Sequence, residues 1–550
     1  MTTDKKNYFL ILFFSIYIFF GIFIYRDFGI GIEEHFQRLN GFYWLDYLLS
    51  FSDFSTFKES VNLKYKNILS TNPNLPNIVF FNFYGVIFDV PAAFLETIFN
   101  LENSKSYFEI RHVLNFLIFL VSAFFFYKIL LKRFNFSIAF FGLNIYSFTP
   151  RIFGDSFYNN KDILFLSLLT IAISFLFNFF DKQNNKNLIL FCFFSALATS
   201  TRIMGIYLPI FLIFFIFLEF LTNKKNILDF LNLSFKIIFF YTLSLYLHYP
   251  YIWQLNIFEI SDWFNKFFYS MNLKILFNGH YYYMNYLPRS YLPIWIFIST
   301  PFILSILFII GFFLFLKRFF YRLISIHNFK PLGSDLWMSN NEKKDIFILF
   351  SFFSFLTYAI FFNVAMLSGW RHFYFLHIFF TYISIFGFFN LVIYFKKKIS
   401  LKILYSLTIL LIIFLIYENV KFHPYQSLYF NNLMSKERIK NFQVDTPSLS
   451  RVDALKSILI DSRNKKHIFI ANASWTPFMN GKDLLEPESK KKLVFTGQNF
   501  MKADYIYDNF IYKSDEKYNK GNMIPINFTI FKKLVINNVH IYSIYKKKNK

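Results

Sequence analysis

The chain has 550 residues, of which 55% are hydrophobic and 88 are phenylalanine, and its mean hydropathy is +0.39. This composition excludes an ordinary soluble protein, because one core could not bury so much apolar surface. The formal net charge of +24 is assigned to basic loops beside a membrane, and no nucleic-acid partner is predicted. The single cysteine, Cys192, excludes an intrachain disulfide and a cysteine-rich metal site.

Eleven apolar runs are long enough to cross a bilayer as helices. The first is predicted to be an uncleaved span, because its apolar run is longer than that of a signal peptide and no small-residue cleavage site follows. The apolar segment 78–100 contains Asp89 and Glu96 and is predicted to lie at the membrane interface. The predicted spans are 8–25, 112–131, 135–150, 162–180, 187–203, 205–221, 234–252, 291–316, 345–366, 372–395 and 402–419.

The loops between these spans predict the orientation of the chain. Compact basic clusters follow every second span, and such clusters collect in cytoplasmic loops, so the N-terminus is predicted to be cytoplasmic. The clusters are KRF (132–134), DKQNNKN (181–187), NKKN (223–226), KRFFYR with later lysines (317–344) and FKKK (395–398). We therefore expect a membrane domain over 1–420, which includes a first outer loop over 26–111, and an outer C-terminal domain over 421–550.

The C-terminal region has a different pattern from the rest of the chain. It alternates apolar and polar stretches, as in HIFIANAS, KKLVFTG, ADYIYDNF and NVHIYSIYKKK, and it has a helical pattern near 451–461. Short strands with a helix indicate a small α/β domain. The predicted fold is a polytopic α-helical membrane protein of about eleven transmembrane helices, with a small C-terminal extracytoplasmic α/β domain.

Conspicuous polar residues share the outer ends of the predicted spans. Glu33 and Glu34 stand in the first outer loop, in GIGIEEHFQRLNG, and the others come from distant segments. Charges near membrane depth are costly and are usually paired or functional, so their shared side predicts a site. The candidates are Glu33, Glu34, Arg151, Asp155, Lys161, Asp162, Arg202, Arg371 and His372.

Each candidate also has a structural interpretation that the sequence leaves open. Glu33 and Glu34 are compatible with a helix start, where carboxylates favour the positive end of the helix dipole. Arg202 is compatible with an interfacial arginine whose head group reaches water, and Arg371 with an anchor beside Trp370. No histidine or cysteine spacing typical of a metal site is present, so neither a metal nor a cofactor is predicted.

A carboxylate beside several cations at the outer membrane face suits the transfer of a sugar from a lipid phosphate. Arginines bind phosphate through paired hydrogen bonds and keep their charge in partly apolar sites. A carboxylate can take the proton of an acceptor hydroxyl, and cations stabilise the departing phosphate. The sequence has no P-loop and no dinucleotide-binding glycine motif, which fits an activated lipid as the sugar donor.

The ordered series of outer segments resembles the GT-C glycosyltransferases. Within them the chain is similar to bacterial relatives of the dolichyl-phosphate-mannose protein mannosyltransferases, glycosyltransferase family 39, from about residue 25 to 545. Besides the acidic pair, the matching segments are PRIFGDSFYNNKDILF, TRIMGIYL, YPYIW, FNGHYY with LPRSYLPIWIFISTP, SGWRHFYF, HPYQSLYFN and ADYIYDNF. The resemblance implies a GT-C-like fold in the bacterial inner membrane, a polyprenyl-phosphate sugar donor, and a lipid, glycan or protein acceptor on the periplasmic face.

The resemblance also implies roles for single residues. The family usually has Asp-Glu where this chain has Glu33 and Glu34, so the catalytic carboxylate is assigned to this pair. Asp155 is preferred as a second catalytic acid, whereas Asp162 is interpreted as a structural partner of Lys161. The candidates for binding the donor phosphate are Arg202, Arg371, His372 and Lys161.

Two other classes of function are kept beside the glycosyltransferase. The first is a polytopic transporter or lipid flippase without glycosyl transfer, although such proteins usually show internal repeats and broken helices near mid-membrane. The second is a non-catalytic membrane scaffold or an inactive relative, because this chain has glutamate at position 33 where the family usually has aspartate.

Overall fold

The computed structural model describes residues 3–72, 75–222, 226–267, 273–329, 337, 339–362, 364–512 and 524–548. Two predicted basic clusters are affected by these limits. Residues 223–225 of NKKN, and residues 330–336 and 338 within the segment 317–344, lie outside the described residues.

Helices form most of the chain before residue 430. They are α1 (Thr3–Ile24), α2 (Glu34–Leu49), α3 (Ser55–Thr71), α4 (Ile78–Phe81), α5 (Asp89–Ile98), α6 (Ser104–Leu131), α7 (Phe136–Phe148), α8 (Pro150–Tyr158), α9 (Asp162–Asp181), α10 (Asn185–Thr201), α11 (Tyr207–Leu221), α12 (Ile227–His248), α13 (Pro250–Trp253), α14 (Ile260–Lys266), α15 (Tyr291–Ser299), α16 (Phe302–Phe329), α17 (Asn340–Phe361), α18 (Leu376–Phe395) and α19 (Leu401–Phe422). A short antiparallel hairpin, β1 (Lys274–Phe277) and β2 (His280–Tyr283), stands between α14 and α15.

Nine helices in the described part of the chain are long and apolar enough to cross a membrane. They coincide with nine of the eleven predicted spans, and the prediction of a polytopic α-helical membrane protein is confirmed. The other two predicted spans form α7, of 13 residues, and α10, of 17 residues. α9 lies at the centre of the bundle, and 89% of its most apolar stretch is buried. In α1 and α12 only 11% of that stretch is buried, so their apolar side chains point outward.

Two predicted segments are divided in the structure. The predicted span 291–316 is split into α15 and α16, because Thr300 precedes Pro301 and adopts an extended conformation, which ends a helix. The predicted interfacial helix 78–100 is split into α4 and α5. Between them the backbone N–H of Gly85 donates to the carbonyl oxygen of Ser200 at 2.7 Å, and a side chain at Gly85 would overlap with Ser200.

The end of the bundle that carries the basic clusters is joined by ion pairs. Arg133 Nε lies 3.0 Å from an oxygen of Asp345, and Lys344 Nζ lies 2.5 Å from Asp181. These residues come from the end of α6 and α9 and from the start of α17. The opposite end of the same helices carries the loops that are predicted to be outer.

The C-terminal region forms a five-stranded mixed sheet with the order β4-β3-β5-β7-β6. Its strands are β3 (Ile468–Asn472), β4 (Leu493–Phe495), β5 (Tyr505–Asp508), β6 (Phe528–Ile536) and β7 (Val539–Lys547), and its helices are α20 (Lys436–Ile439), α21 (Arg451–Asp461) and α22 (Pro487–Lys492). β3 is parallel to β4 and β5, whereas β7 is antiparallel to β5 and β6. The small α/β fold predicted from the alternating pattern is confirmed.

The first outer loop has its own buried ion pair. Arg38 in α2 donates from Nη2 to Glu96 Oε1 in α5 at 2.6 Å, and its guanidinium lies 3.7 Å from the ring centre of Tyr107. Glu96 is 0% exposed. The pair joins α2 to α5.

We expect Glu96→Gln to lower the free energy of unfolding by about 3–5 kcal/mol, because a buried guanidinium would lose its counter-charge. The measurement is denaturant unfolding of the protein in detergent. Glu102→Gln, at an exposed position of the same loop, should change stability by less than about 0.5 kcal/mol. Equal stability of the two variants would contradict the structural role of the pair.

Candidate active site

Four charged side chains from distant segments meet at the end of the bundle opposite the basic clusters. They are Glu33, Asp162, Arg202 and Arg371, named here the Glu33–Arg371 cluster. Glu33 precedes α2, Asp162 is the first residue of α9, Arg202 follows α10, and Arg371 lies between α17 and α18. The structure therefore brings three of the predicted site residues together with an acid that had been interpreted as structural.

The two arginines share the two carboxylates. Arg371 Nη2 donates to Glu33 Oε1, and Arg202 Nη2 donates to Asp162 Oδ1. Arg371 Nε lies 3.9 Å from Asp162 Oδ2, so Arg371 stands between both acids. The side chains of Arg371 and Asp162 are 7% and 3% exposed, whereas that of Glu33 is 39% exposed. Glu33 is thus the acid of this cluster that an incoming molecule can reach.

Tight turns position the two arginines. Arg202 has an extended backbone, and its carbonyl oxygen accepts a hydrogen bond from Gly205 N at 2.9 Å. A side chain at Gly205 would overlap with the backbone of α10. On the other side, Ser368 and Gly369 have φ angles of 61° and 69°, and they turn the chain into the segment that carries Arg371.

The pKa values in the cluster follow from burial and charge. Burial alone would raise the pKa of Glu33, but Arg371, Lys161 and Arg202 together hold it well below its usual range. Burial likewise opposes the charge of Arg371, yet Glu33 raises the pKa of the Arg371 guanidinium above its usual value. Burial, and then Arg202, lower the pKa of His372 to about 3. His372 is therefore neutral at physiological pH.

His372 lies beside the cluster as a neutral side chain. Its Nδ1 is 3.4 Å from the carbonyl oxygen of Ala365, which can only accept a hydrogen bond. In that tautomer Nε2 carries no proton and accepts hydrogen bonds. The predicted role of His372 in binding the phosphate of the sugar donor stays a prediction.

Glu34 turns away from the cluster, although it is adjacent to Glu33. It is 4% exposed, and its Oε1 accepts a hydrogen bond from Gly31 N at 2.6 Å. His112 Nε2 in α6 lies 3.1 Å from Glu34 Oε2. Glu34 therefore fastens the start of α2 to α6.

The two acids of the segment 150–162 are both buried, and Asp162 has another partner than the predicted Lys161. Asp155 is 2% exposed and accepts hydrogen bonds from Tyr158 OH at 2.7 Å and Asn159 Nδ2 at 2.9 Å. Burial raises the pKa of Asp155 above its usual value. Asp162 pairs with an arginine, and the Lys161 ammonium instead lies 3.1 Å from the ring centre of Tyr84. Consecutive residues at a helix start do not face each other, which separates Lys161 from Asp162.

Residues that were not among the predicted candidates also line the site, and some of them come from the chain after residue 420. A small polar cavity beside Arg371 is lined by Asp155, Ser368, Arg371, Tyr374, Ser427 and Gln443, among others. The segment HPYQSLYFN, which contains Ser427, was the signal available in the sequence. Nothing in the local pattern of FQVDTPSL predicts that Gln443 reaches the cavity.

The arrangement supports anion binding and proton transfer by the chain's own residues. Arg371 bonds to the partly exposed carboxylate of Glu33, and Arg202 bonds to Asp162 close by, so groups that can bind a phosphate lie next to a carboxylate that can act as a general base. Within the described residues, no group of three or more His, Cys, Asp or Glu side chains is arranged to hold a metal ion.

The fold is that of an integral membrane protein with a charged site at one end of its helices. Residues 90–246 match the model of the family described as dolichyl-phosphate-mannose-protein mannosyltransferase. Over these residues the match confirms the predicted resemblance to the dolichyl-phosphate-mannose protein mannosyltransferases. The matched segment contains Asp155, Lys161, Asp162 and Arg202, whereas Glu33 and Arg371 lie outside it. No curated protein shows significant sequence similarity to the chain.

Solved structures of two proteins have some similarity to the chain. The oligosaccharyltransferase of Archaeoglobus fulgidus, in the apo form, has a TM-score of 0.41 and 10% identity, over 76% of this chain and 57% of that protein. ArnT from Cupriavidus metallidurans, in the apo state, has a TM-score of 0.38 and 9% identity, over 84% of this chain and 87% of that protein. The same ArnT bound to undecaprenyl phosphate has a TM-score of 0.35 and 10% identity, over 84% and 88%.

Proposed function

We propose that this chain transfers a sugar from a polyprenyl-phosphate donor to a hydroxyl group of a lipid, glycan or protein acceptor. The observation that carries the proposal is the Glu33–Arg371 cluster, in which a partly exposed carboxylate stands beside two guanidinium groups. The match to a family named for dolichyl-phosphate-mannose, itself a polyprenyl-phosphate sugar, supports the same donor class.

Arg371 and Arg202 are proposed to receive the phosphate of the donor. A phosphate accepts paired hydrogen bonds from a guanidinium and competes with Glu33 for Arg371 Nη2. Once Arg371 bonds to the phosphate, Glu33 loses its nearest counter-charge, and its pKa rises. A carboxylate is a better base when its pKa lies closer to the pH of the medium.

Glu33 then takes the proton of the acceptor hydroxyl. The acceptor oxygen attacks the anomeric carbon of the sugar, and the bond from that carbon to the phosphate oxygen breaks. The electron pair of that bond leaves with the lipid phosphate, whose charge Arg371 and Arg202 stabilise. Asp155, which burial inclines toward its protonated form, is proposed to orient the substrate from the polar cavity.

The location of the reaction is part of the proposal. The positions of the basic clusters support a cytoplasmic N-terminus in a bacterial cell, and with it a Glu33–Arg371 cluster on the periplasmic side of the inner membrane. Residues 1–420 are proposed to form the catalytic membrane domain, and residues 421–550 the periplasmic domain.

Glu34→Gln is expected to keep most of the turnover, because Glu34 faces His112 and not the arginines. The variant should instead lower the free energy of unfolding by about 1–3 kcal/mol, since a buried hydrogen-bonded carboxylate is replaced. Activity and denaturant unfolding of the same preparation measure both effects. Loss of turnover without loss of stability would make Glu34 the base.

A donor panel tests the function directly. The purified protein is incubated with different polyprenyl-phosphate sugars and a membrane extract as the acceptor source, and the release of lipid phosphate is followed. We expect release from one donor class, and no release with Glu33→Gln. Movement of a labelled lipid across vesicle membranes, without release from any donor, would overturn the proposal in favour of a flippase.

A further inference from the structure

The backbone that precedes Glu33 packs directly on the C-terminal region. Ile32 N donates a hydrogen bond to the carbonyl oxygen of Pro447 at 3.1 Å. A side chain at Gly29 would overlap with the carbonyl oxygen of Leu449, so only glycine allows this close approach. The segment before Glu33 therefore takes its position from residues more than 400 positions away in the sequence.

Arg451 is the side chain that joins these two segments. It is 1% exposed, and it donates from Nε to the carbonyl oxygen of Ser448 at 2.8 Å and from Nη1 to that of Pro477 at 2.8 Å. Its Nη2 donates to the carbonyl oxygen of Ile30 at 2.6 Å. One guanidinium thus bonds to three backbone segments, and one of them, at Ile30, directly precedes Glu33.

The turn that presents Arg451 is itself fixed. The Asp445 carboxylate accepts hydrogen bonds from Leu449 N at 3.0 Å and from Ser450 Oγ at 2.5 Å. Ser448 has a φ of 63°, a conformation that a non-glycine residue adopts only when its surroundings hold it. The turn therefore fixes the backbone position from which the Arg451 side chain extends.

The C-terminal region also holds the chain after Glu33. His35 Nε2 lies 2.8 Å from Asp483 Oδ2, and Ser104 Oγ donates to the carbonyl oxygen of Asp483 at 2.7 Å. Glu33 thus lies between two attachment points on the same region. Its own side chain is left facing Arg371.

We propose that Arg451 is a positioning residue for the transfer reaction, because it fixes the backbone of residues 30–32 and thereby the distance from Glu33 to Arg371 and to the acceptor hydroxyl. The inference rests on the proposed glycosyl transfer. A glutamate side chain has one more rotatable bond than the aspartate usual in the family, so its carboxylate depends more on a fixed backbone. A displacement of about 1 Å of a catalytic group can cost roughly 100-fold in rate.

The test compares Arg451→Lys with Arg463→Lys, an exposed arginine of the same region. An ammonium on a single stem cannot reach three carbonyl oxygens in different directions, so we expect kcat to fall by about 10–100-fold in Arg451→Lys. The number of binding sites for undecaprenyl phosphate per protein should stay at the wild-type value. Their affinity for this lipid should be unchanged or higher. Arg463→Lys should match the wild-type protein in every measurement.

A second readout separates positioning from simple destabilisation. In single-turnover measurements in a Glu33→Gln background, Arg451→Lys should cause no further loss, because both changes act through the same carboxylate. Asp445→Asn, which loosens the same turn and leaves Arg451 in place, should give the same pattern in a milder form.

Two results would overturn the inference while leaving the function standing. One is that Arg451→Lys lowers the rate by the same factor in the wild-type protein and in the Glu33→Gln variant. The other is a loss of lipid-phosphate binding sites in proportion to kcat, which indicates unfolded protein. A wild-type protein that releases no lipid phosphate from any donor would instead overturn the proposed function, and the role of Arg451 with it.

Discussion

Glu33→Gln is expected to lower the turnover number by about 10²–10⁴-fold, the usual contribution of a general base. The amide has nearly the same shape but cannot accept the proton of the acceptor hydroxyl. Because Arg371 loses its bond to a charged partner, the affinity for undecaprenyl phosphate should rise or stay unchanged. Single-turnover release of lipid phosphate measures the first effect, and lipid binding to the detergent-solubilised protein measures the second.

The matched variants for Glu33 are an aspartate at the same position and Glu102→Gln. Glu33→Asp keeps a carboxylate, so it should retain far more activity than Glu33→Gln. Glu102 is exposed in the same outer loop and should be silent. Wild-type turnover in Glu33→Gln would remove this carboxylate from the mechanism.

Arg371→Gln is expected to weaken lipid-phosphate binding and to lower turnover by about 10²–10³-fold, because one preorganised donor to the developing charge is lost. Arg371→Lys should recover only part of this loss, since an ammonium does not give two parallel hydrogen bonds. The measurements are the dissociation constant for undecaprenyl phosphate and the single-turnover rate.

The pH dependence of Arg371→Gln provides a second measurement on the same variant. In the wild-type protein without donor the pKa of Glu33 lies well below its usual range, so Glu33 is ionised and adds no acid limb to kcat/KM above about pH 5. Removal of Arg371 takes away the largest opposing charge, and the pKa rises. The kcat/KM of the variant should then fall as the pH drops through about 4–5, where the carboxylate becomes protonated and ceases to be a base.

Arg133→Lys is the matched control for Arg371. Arg133 is also largely buried and paired with a carboxylate, Asp345, but it lies at the opposite end of the bundle. Its substitution should affect stability and leave lipid-phosphate binding and the pH profile unchanged. Equal effects of the two variants on binding would show that Arg371 acts through the fold and not through the phosphate.

The class of protein could be predicted from the sequence because it depends on local composition. Runs of apolar residues long enough to cross a bilayer need no knowledge of distant contacts, and nine of the eleven predicted spans coincide with candidate membrane helices. The helix predicted near 451–461 is α21, since the helical pattern is equally local. The segment 291–316 was predicted to be one span because it is continuously apolar. It is split in the structure because the residue before Pro301 cannot easily stay helical.

The sequence by itself determined that this is a polytopic membrane protein with acidic and basic residues collected at one end of its helices. The tertiary structure alone decided which of these residues face each other. Successive positions at a helix start point about 100° apart, so Glu33 faces Arg371 while Glu34 faces His112, and no pattern of letters distinguishes the two glutamates. Asp155 and Asp162 belong to different helices, α8 and α9, and only the packing of these helices decides that Asp162 bonds to an arginine. The support of Ile30 by Arg451 joins positions that no local periodicity connects, because it depends on how two folded regions pack.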